Sequence, residues 1–234
     1  MVIEYIWEHN GDDSLIYFEG FTGAFTRGAT KSEALSKAES EIKAYIRWTS
    51  ADTDIPDFSF DMIQEHPTTL SVSDADSEVI FESEKQPLTM KEYVFLRNLA
   101  LKSAQDFHFL YNSIPDKDKS CLQPRKTFYG NKPLTANEMY EHTKSVNSYY
   151  FAEIGIEADN ESDIYSCRKI GFDILEKTPD FLENKVFEGS YGELWSLRKL
   201  LRRFIWHDRI HAKAMRRMCR LTFGEAEDIF GFGE

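Results

Sequence analysis

The sequence changes its periodicity near residue 89, and this change constrains the fold more than any other feature. Beyond it, apolar residues recur at helical spacing through four segments: TMKEYVFLRNLALKSAQDFHFLYNSI, LTANEMYEHTKSVNSYYFAEIG, SDIYSCRKIGFDILEKT and YGELWSLRKLLRRFIWHDRIHAKAMRRM. This spacing is typical of helices that bury one face. Four long helices predict an all-α four-helix bundle over residues 89–234.

The first 65 residues carry strand signals instead. VIEYIWEH and SLIYFEGF are rich in β-branched and aromatic residues, and the Asn10-Gly11 pair between them favours a hairpin. AFTRG is a third short run, and FSFDMIQEH alternates as a half-buried strand does. Between them, TKSEALSKAESEIKAYIRW has Thr30 and Glu33 at capping-box spacing. Residues 1–65 therefore predict a small antiparallel sheet with one helix, and the fold class is α+β.

The formal charge of −12 is concentrated at the N-terminal end. Residues 1–88 contain 18 acidic and 6 basic side chains, whereas the 22 acidic and 22 basic side chains of the remainder cancel. Residues 66–88, HPTTLSVSDADSEVIFESEKQPL, are acidic and rich in Ser, which indicates a linker or an edge strand between two domains. The acidic balance argues against a nucleic-acid partner, because such binding relies on clustered Lys and Arg.

Composition also limits the compartment. No apolar run approaches the roughly 18 residues that a membrane helix needs, and the start MVIEYIWEHNGDD has neither a basic nor an apolar leader region. The three cysteines are widely spaced and form no CxxC pair, so reduced thiols are expected rather than disulfides or a thiolate metal cage. We therefore expect a globular cytoplasmic protein that does not enter the membrane.

Three histidines form the candidate site. His207 and His211 are four residues apart on a predicted helix, so their side chains project from one face at a separation that suits a shared cation. Alone, such a pair is often coincidental. His142 lies within another predicted helix on the same face as Met139 and Val146, where it is either a hydrogen-bonded core residue or a third ligand. Three imidazoles would leave coordination positions open, which is typical of catalytic zinc sites.

Neighbouring side chains give further candidates. Glu138 lies one turn before His142 and is either a fourth ligand or an acceptor of a hydrogen bond from a ligand. A solvated or capping carboxylate is more in keeping with its position early in the helix. Tyr149 is a candidate for the pocket wall, although aromatic residues at helical spacing usually belong to the core. Asp208 points about 100° away from its neighbouring ligand and is expected to pair with Arg202 or Arg209.

The last helix is strongly basic, and this pattern has three interpretations. It is a solvated face, which the composition slightly favours, or a surface on which the acidic N-terminal domain docks. In the third interpretation Arg203, one turn before His207, attracts an anionic substrate toward the metal.

Two segments resemble known families. LIYFEGFTGAFTRGATKSEALSKAESEIKAYI resembles the N-terminal module of the HicB family, and the resemblance covers about residues 1–65. EMYEHTKSVNSYYF and FIWHDRIHAKAM, which carry His142 and the His207/His211 pair, resemble the DinB-like (DinB/YfiT) family over about residues 89–220. That resemblance implies a four-helix bundle in which these histidines bind one divalent metal, Zn or Ni.

The DinB-like resemblance also implies a chemistry. Relatives include enzymes that use a low-molecular-weight thiol, so it suggests a metal-dependent S-transferase acting on an electrophilic small molecule. A metal-dependent hydrolase would use the same ligands. A different class of function is a non-catalytic regulatory protein whose HicB-like domain engages a protein partner, and a homodimer is compatible with either class.

Overall fold

The N-terminal part of the chain forms a four-stranded mixed sheet. The computed structural model describes residues 1–50, 58–127 and 130–233. The strands are β1 (Val2–Asn10), β2 (Asp13–Phe18), β3 (Phe25–Gly28) and β4 (Ser59–Pro67), in the order β3-β2-β1-β4. The predicted hairpin is present: β1 and β2 are antiparallel, Asn10 pairs with Asp13, and Gly11 has a φ of 58°.

Two details of the predicted N-terminal unit were wrong. The sheet is not wholly antiparallel, because β4 pairs in parallel with β1. Helices α1 (Lys31–Ser36) and α2 (Ala38–Thr49) lie between β3 and β4 in the chain, and such a crossover connects parallel strands. The single predicted helix is also divided in two at Lys37, whose Nζ atom donates to the Arg27 carbonyl.

Four further helices follow, α3 (Met90–Ser113), α4 (Ala136–Ala152), α5 (Ile164–Leu175) and α6 (Leu197–Phe223). Helices α3 and α4 both pack against α5 and α6. Thr89 with Glu92 and Thr135 with Glu138 form complete capping boxes, and Gly224, with a φ of 94°, ends α6. Short hairpins, β5 (Lys126–Thr127) with β6 (Gly130–Asn131) and β7 (Phe187–Glu188) with β8 (Leu194–Trp195), lie in the connections.

The sheet and the helices share a continuous apolar core. One face of the sheet packs on α2 through residues such as Ile16, Phe18 and Ile42, and the same cluster extends into α3 and α6. A second cluster joins Tyr17 and Phe25 to Trp206 of α6. The N-terminal unit is therefore packed directly on the last helix.

Residues 66–88 contribute to this contact. Beyond the end of β4 the segment contains no strand, only the short 3₁₀ turns Val72–Asp74 and Ser83–Lys85. Val72, Val79 and Phe81 are buried in the cluster around Trp206. The acidic segment thus lies against α6, and its apolar residues fill the space between that helix and the sheet.

Candidate metal centre

Helices α4 and α6 bring the three predicted histidines together. The His207 and His211 ring centroids are 4.4 Å apart, as expected for residues one turn apart on α6. His142 of α4 faces both, at 5.3 Å from His207 and 4.7 Å from His211. Each imidazole offers a ring nitrogen, and these three atoms lie within 4.8 Å of one another. The arrangement has the donor type and the spacing of a divalent-cation site.

The surroundings keep these imidazoles neutral. Burial lowers the pKa of His142, and burial together with the neighbouring histidines lowers the pKa values of His207 and His211 well below their ordinary value. Neutral imidazole is the form that binds a metal. Among the described residues, the buried Nδ1 atom of His207 has no hydrogen-bond partner. The residues present therefore fit a bound cation.

The histidines line a broad cleft of about 1550 Å³ between the N-terminal unit and helices α4 and α6. One wall follows a single face of α6, with Arg203, His207, His211 and Arg217 in sequence along it. Residues of β3, α1 and the 66–88 segment form the opposite wall. A small molecule can therefore enter beside the three histidines.

The predicted neighbours differ in how they relate to the site. Glu138 is exposed, and its carboxylate accepts hydrogen bonds from the Leu134 and Thr135 amides, which makes it the capping residue of α4. Tyr149 lines the cleft and packs edge-on against Trp195, and its hydroxyl donates a hydrogen bond to the Glu153 carboxylate.

Arg203 also lines the cleft, but it is only 8% exposed. Its guanidinium donates to the Ser77 carbonyl at 2.9 Å and stacks on Trp206 at 4.7 Å. Its charge therefore reaches the cleft from a position fixed by the 66–88 segment.

The slightly favoured interpretation of the basic last helix, a solvated face, was wrong for its central part. Arg202 and Arg209 are 2% and 0% exposed. Arg202 pairs with Glu84, and Arg209 pairs with Glu41 at 2.7 Å. Docking of the acidic N-terminal part on this helix, the second interpretation, is the one that the structure shows, since Glu84 and Glu41 pair with these buried guanidinium groups.

The expected partners of Asp208 were wrong as well. Asp208 is fully buried and forms a two-pronged ion pair with Arg168 of α5, at 2.5 and 3.0 Å. Arg168 also donates to Asn147 of α4. Because Asp208 follows His207 directly and points about 100° away from it around α6, this pair connects three helices beside the site. Sequence spacing alone could not select a partner 40 positions away.

The remaining histidines lie apart from this site. His9 stacks on Trp7 and pairs with Glu65, and the Nδ1 atom of His108 lies 2.8 Å from the Tyr140 hydroxyl oxygen.

Sequence reasoning missed a group of basic residues at one end of the cleft: Arg27, Arg125, Lys132 and Arg217. Arg217 lies fourteen residues, close to four turns, after Arg203, so the two share a side of α6 and the helical period was a usable signal. The other three come from strand and loop segments whose proximity depends on the tertiary fold.

The chain matches no family model, no curated protein and no solved structure. The resemblances to the HicB and DinB-like families therefore stay predictions. Within the described ranges, no helix has the combination of length and apolar character needed to cross a bilayer.

Proposed function

We propose that His142, His207 and His211 bind one divalent metal ion, and that the protein is a metal-dependent transferase that uses a low-molecular-weight thiol. The convergence of three imidazole nitrogens within 4.8 Å carries the metal proposal. Three neutral nitrogen donors suit Zn, Ni, Fe or Cu, and the resemblance to the DinB-like family favours Zn or Ni. In this proposal the four packed helices form a DinB-like bundle and residues 1–65 form a HicB-like module.

A bound cation would lower the pKa of a thiol or water that coordinates beside the three imidazoles. The protein residues supply the setting. His142 and the His207/His211 pair come from two helices that are packed together, so the ligands are held before metal arrives. The buried Arg168–Asp208 pair joins α6 to α5 next to His207, and the cleft admits the reactants.

The thiol is assigned to a small molecule because no cysteine lines the cleft. Cys167 and Cys219 are buried elsewhere, and Cys121 is exposed outside the cleft. A protein nucleophile of this type is therefore absent from the described part of the site. Hydrolysis of a substrate by a metal-activated water uses the same ligands, and a reaction assay that includes or omits thiol separates the two chemistries.

Elemental analysis of the purified full-length chain tests the metal proposal. We expect about one equivalent of Zn or Ni in the wild type and a large loss in His211→Ala, because two imidazoles hold such ions less tightly. His66→Ala is the matched control, since His66 is a partly exposed histidine distant from α6 in the chain, and it should retain the metal. A wild type without stoichiometric metal, or equal loss in both variants, would refute the site.

Consumption of a low-molecular-weight thiol in the presence of monochlorobimane tests the transferase proposal. The metal-loaded wild type and His66→Ala should form the conjugate, and His142→Ala should not. Metal-loaded protein that leaves the thiol unchanged, yet hydrolyses ester or amide substrates, would favour the hydrolase.

A further inference from the structure

One end of the cleft is basic, although the protein as a whole is acidic. The chain carries a formal net charge of −12, yet Arg27, Arg125, Lys132 and Arg217 all line the same opening. We call these four residues the cationic rim. Like charges placed together repel one another, so a cluster of this kind in an acidic protein requires a compensating group.

The compensation within the protein is incomplete. Arg125 pairs with Asp74, and Arg27 donates to the Ser73 carbonyl. Over the described residues, neither Lys132 nor Arg217 takes part in an ion pair or a side-chain hydrogen bond. Lys132 lines the cleft together with Arg27, Arg125 and Arg217. Burial lowers its pKa and the charges of Arg125 and Arg27 lower it further, whereas Asp74 acts in the opposite direction.

Three of the acidic residues on the cleft wall, Glu33, Glu41 and Glu193, form ion pairs with other cations. Glu33 pairs with Lys37, and Glu193 pairs with Lys199. Glu41 pairs with Arg209 and Lys213. These carboxylates are therefore not available to neutralise the cationic rim.

The cationic rim is adjacent to the histidines. His211 lines the same cleft as Lys132, Arg27 and Arg217. Arg217 lies six residues beyond His211 on the same helix, which at the helical rise of 1.5 Å per residue is about 9 Å along the axis. A molecule of moderate length can therefore reach from one group to the other.

We infer that the cationic rim binds the oxyanion of the substrate, a carboxylate or phosphate group about 9 Å along α6 from the reacting end at the histidines. This inference deepens the proposed function by naming the substrate class: an elongated small anion, with its charged end at Lys132 and Arg217 and its reactive end at the metal.

Isothermal titration of the full-length protein with succinate and, separately, with inorganic phosphate tests this inference at low ionic strength. The two probes separate recognition of carboxylate from recognition of phosphate. In the double variant Lys132→Gln/Arg217→Gln we expect affinity for the preferred probe to fall about tenfold or more, because two charged donors are removed. Added salt should weaken binding to the wild type.

The matched control is Lys126→Gln/Arg220→Gln. Lys126 lies in β5, whose partner strand β6 directly precedes Lys132, and Arg220 lies on α6 about one turn after Arg217, but neither Lys126 nor Arg220 lines the cleft. The control should bind the probe as the wild type does, and both double variants should keep their metal content. Equal loss in the two double variants, or no binding of either probe to the wild type, would overturn the inference.

His211→Ala separates the cationic rim from the metal. If the anion is bound by the cationic rim, this variant loses metal but keeps most of its affinity for the probe. If affinity disappears in His211→Ala and is unchanged in Lys132→Gln/Arg217→Gln, the anion binds to the metal alone and the inference fails. A wild type that binds the probe through the cationic rim but contains no metal would refute the metal proposal and leave the inference standing.

Discussion

Replacing Glu41 by Gln should break the electrostatic contact that docks the N-terminal unit on α6. Glu41 of α2 is 6% exposed, and its two carboxylate oxygens accept from Arg209 at 2.7 Å and Lys213 at 2.6 Å. Arg209 is fully buried over the rings of Tyr45 and Trp48. Within the described residues, Glu41 is the carboxylate that pairs with it.

The expected loss follows from the burial of Arg209. Removing one partner of a buried pair leaves an uncompensated charge and costs about 3–5 kcal/mol. Lys213 is 36% exposed, so its share is screened and adds little. For a chain of this size the loss corresponds to a decrease of about 10 °C in Tm. Glu39→Gln is the control, because Glu39 lies on the same helix and makes an exposed pair with Lys43. It should change the free energy of unfolding by about 0.5 kcal/mol or less.

The pH dependence gives a second measurement on the same variant. Burial raises the pKa of Glu41, but Arg209 and Lys213 outweigh this effect, so the pKa lies below its ordinary value. The carboxylate therefore contributes its stabilisation above a pH of about 4.5, the value in the unfolded chain, and loses it as pH falls through the lowered pKa. Urea unfolding at several pH values should show the wild type and Glu41→Gln converging in acid. A difference below about 1 kcal/mol at pH 7 would refute the reasoning.

Three further substitutions probe the packing of the N-terminal unit by urea unfolding. Gly23→Ala would place a methyl group 2.5 Å from Ile205 Cγ2 at a φ of +85°, and should destabilise the fold by at least about 2 kcal/mol. Gly20→Ala is the control, because Gly20 has a φ of +79° but no neighbour within 4 Å, so that substitution introduces backbone strain alone. Equal losses of stability in the two variants would contradict a close contact between Gly23 and α6. Burial raises the pKa of Glu8, and this effect outweighs the hydrogen bonds from the Ser77 hydroxyl and two backbone amides, which lower the pKa. The contribution of Glu8 to stability therefore falls as the pH rises above about 4.5. In Glu8→Gln the free energy of unfolding should decrease less over this pH range than it does in the wild type. Parallel pH profiles for the two proteins would contradict this prediction.

Local structure was largely predictable because short-range interactions encode it. The Asn10-Gly11 turn and the histidine pair on α6 depend on residues within four positions of one another, and all formed where the sequence indicated. The fourth strand was also anticipated from its alternation. Its parallel direction was not, because that depends on the crossover through α1 and α2.

Long-range pairing was decided by the tertiary structure alone. The sequence showed an acidic N-terminal part and a basic last helix, but solvation and docking both satisfied that pattern until packing buried Arg202 and Arg209 against Glu84 and Glu41. The same packing created the cleft and gathered the cationic rim. The helical period sets which residues share a face, and capping residues set where a helix begins. Both can be read from the sequence because they depend on residues only a few positions apart. Charge partners more than 100 residues apart are brought together when the chain buries its apolar faces, because that burial contributes most of the favourable free energy of folding. No local sequence pattern specifies these partners.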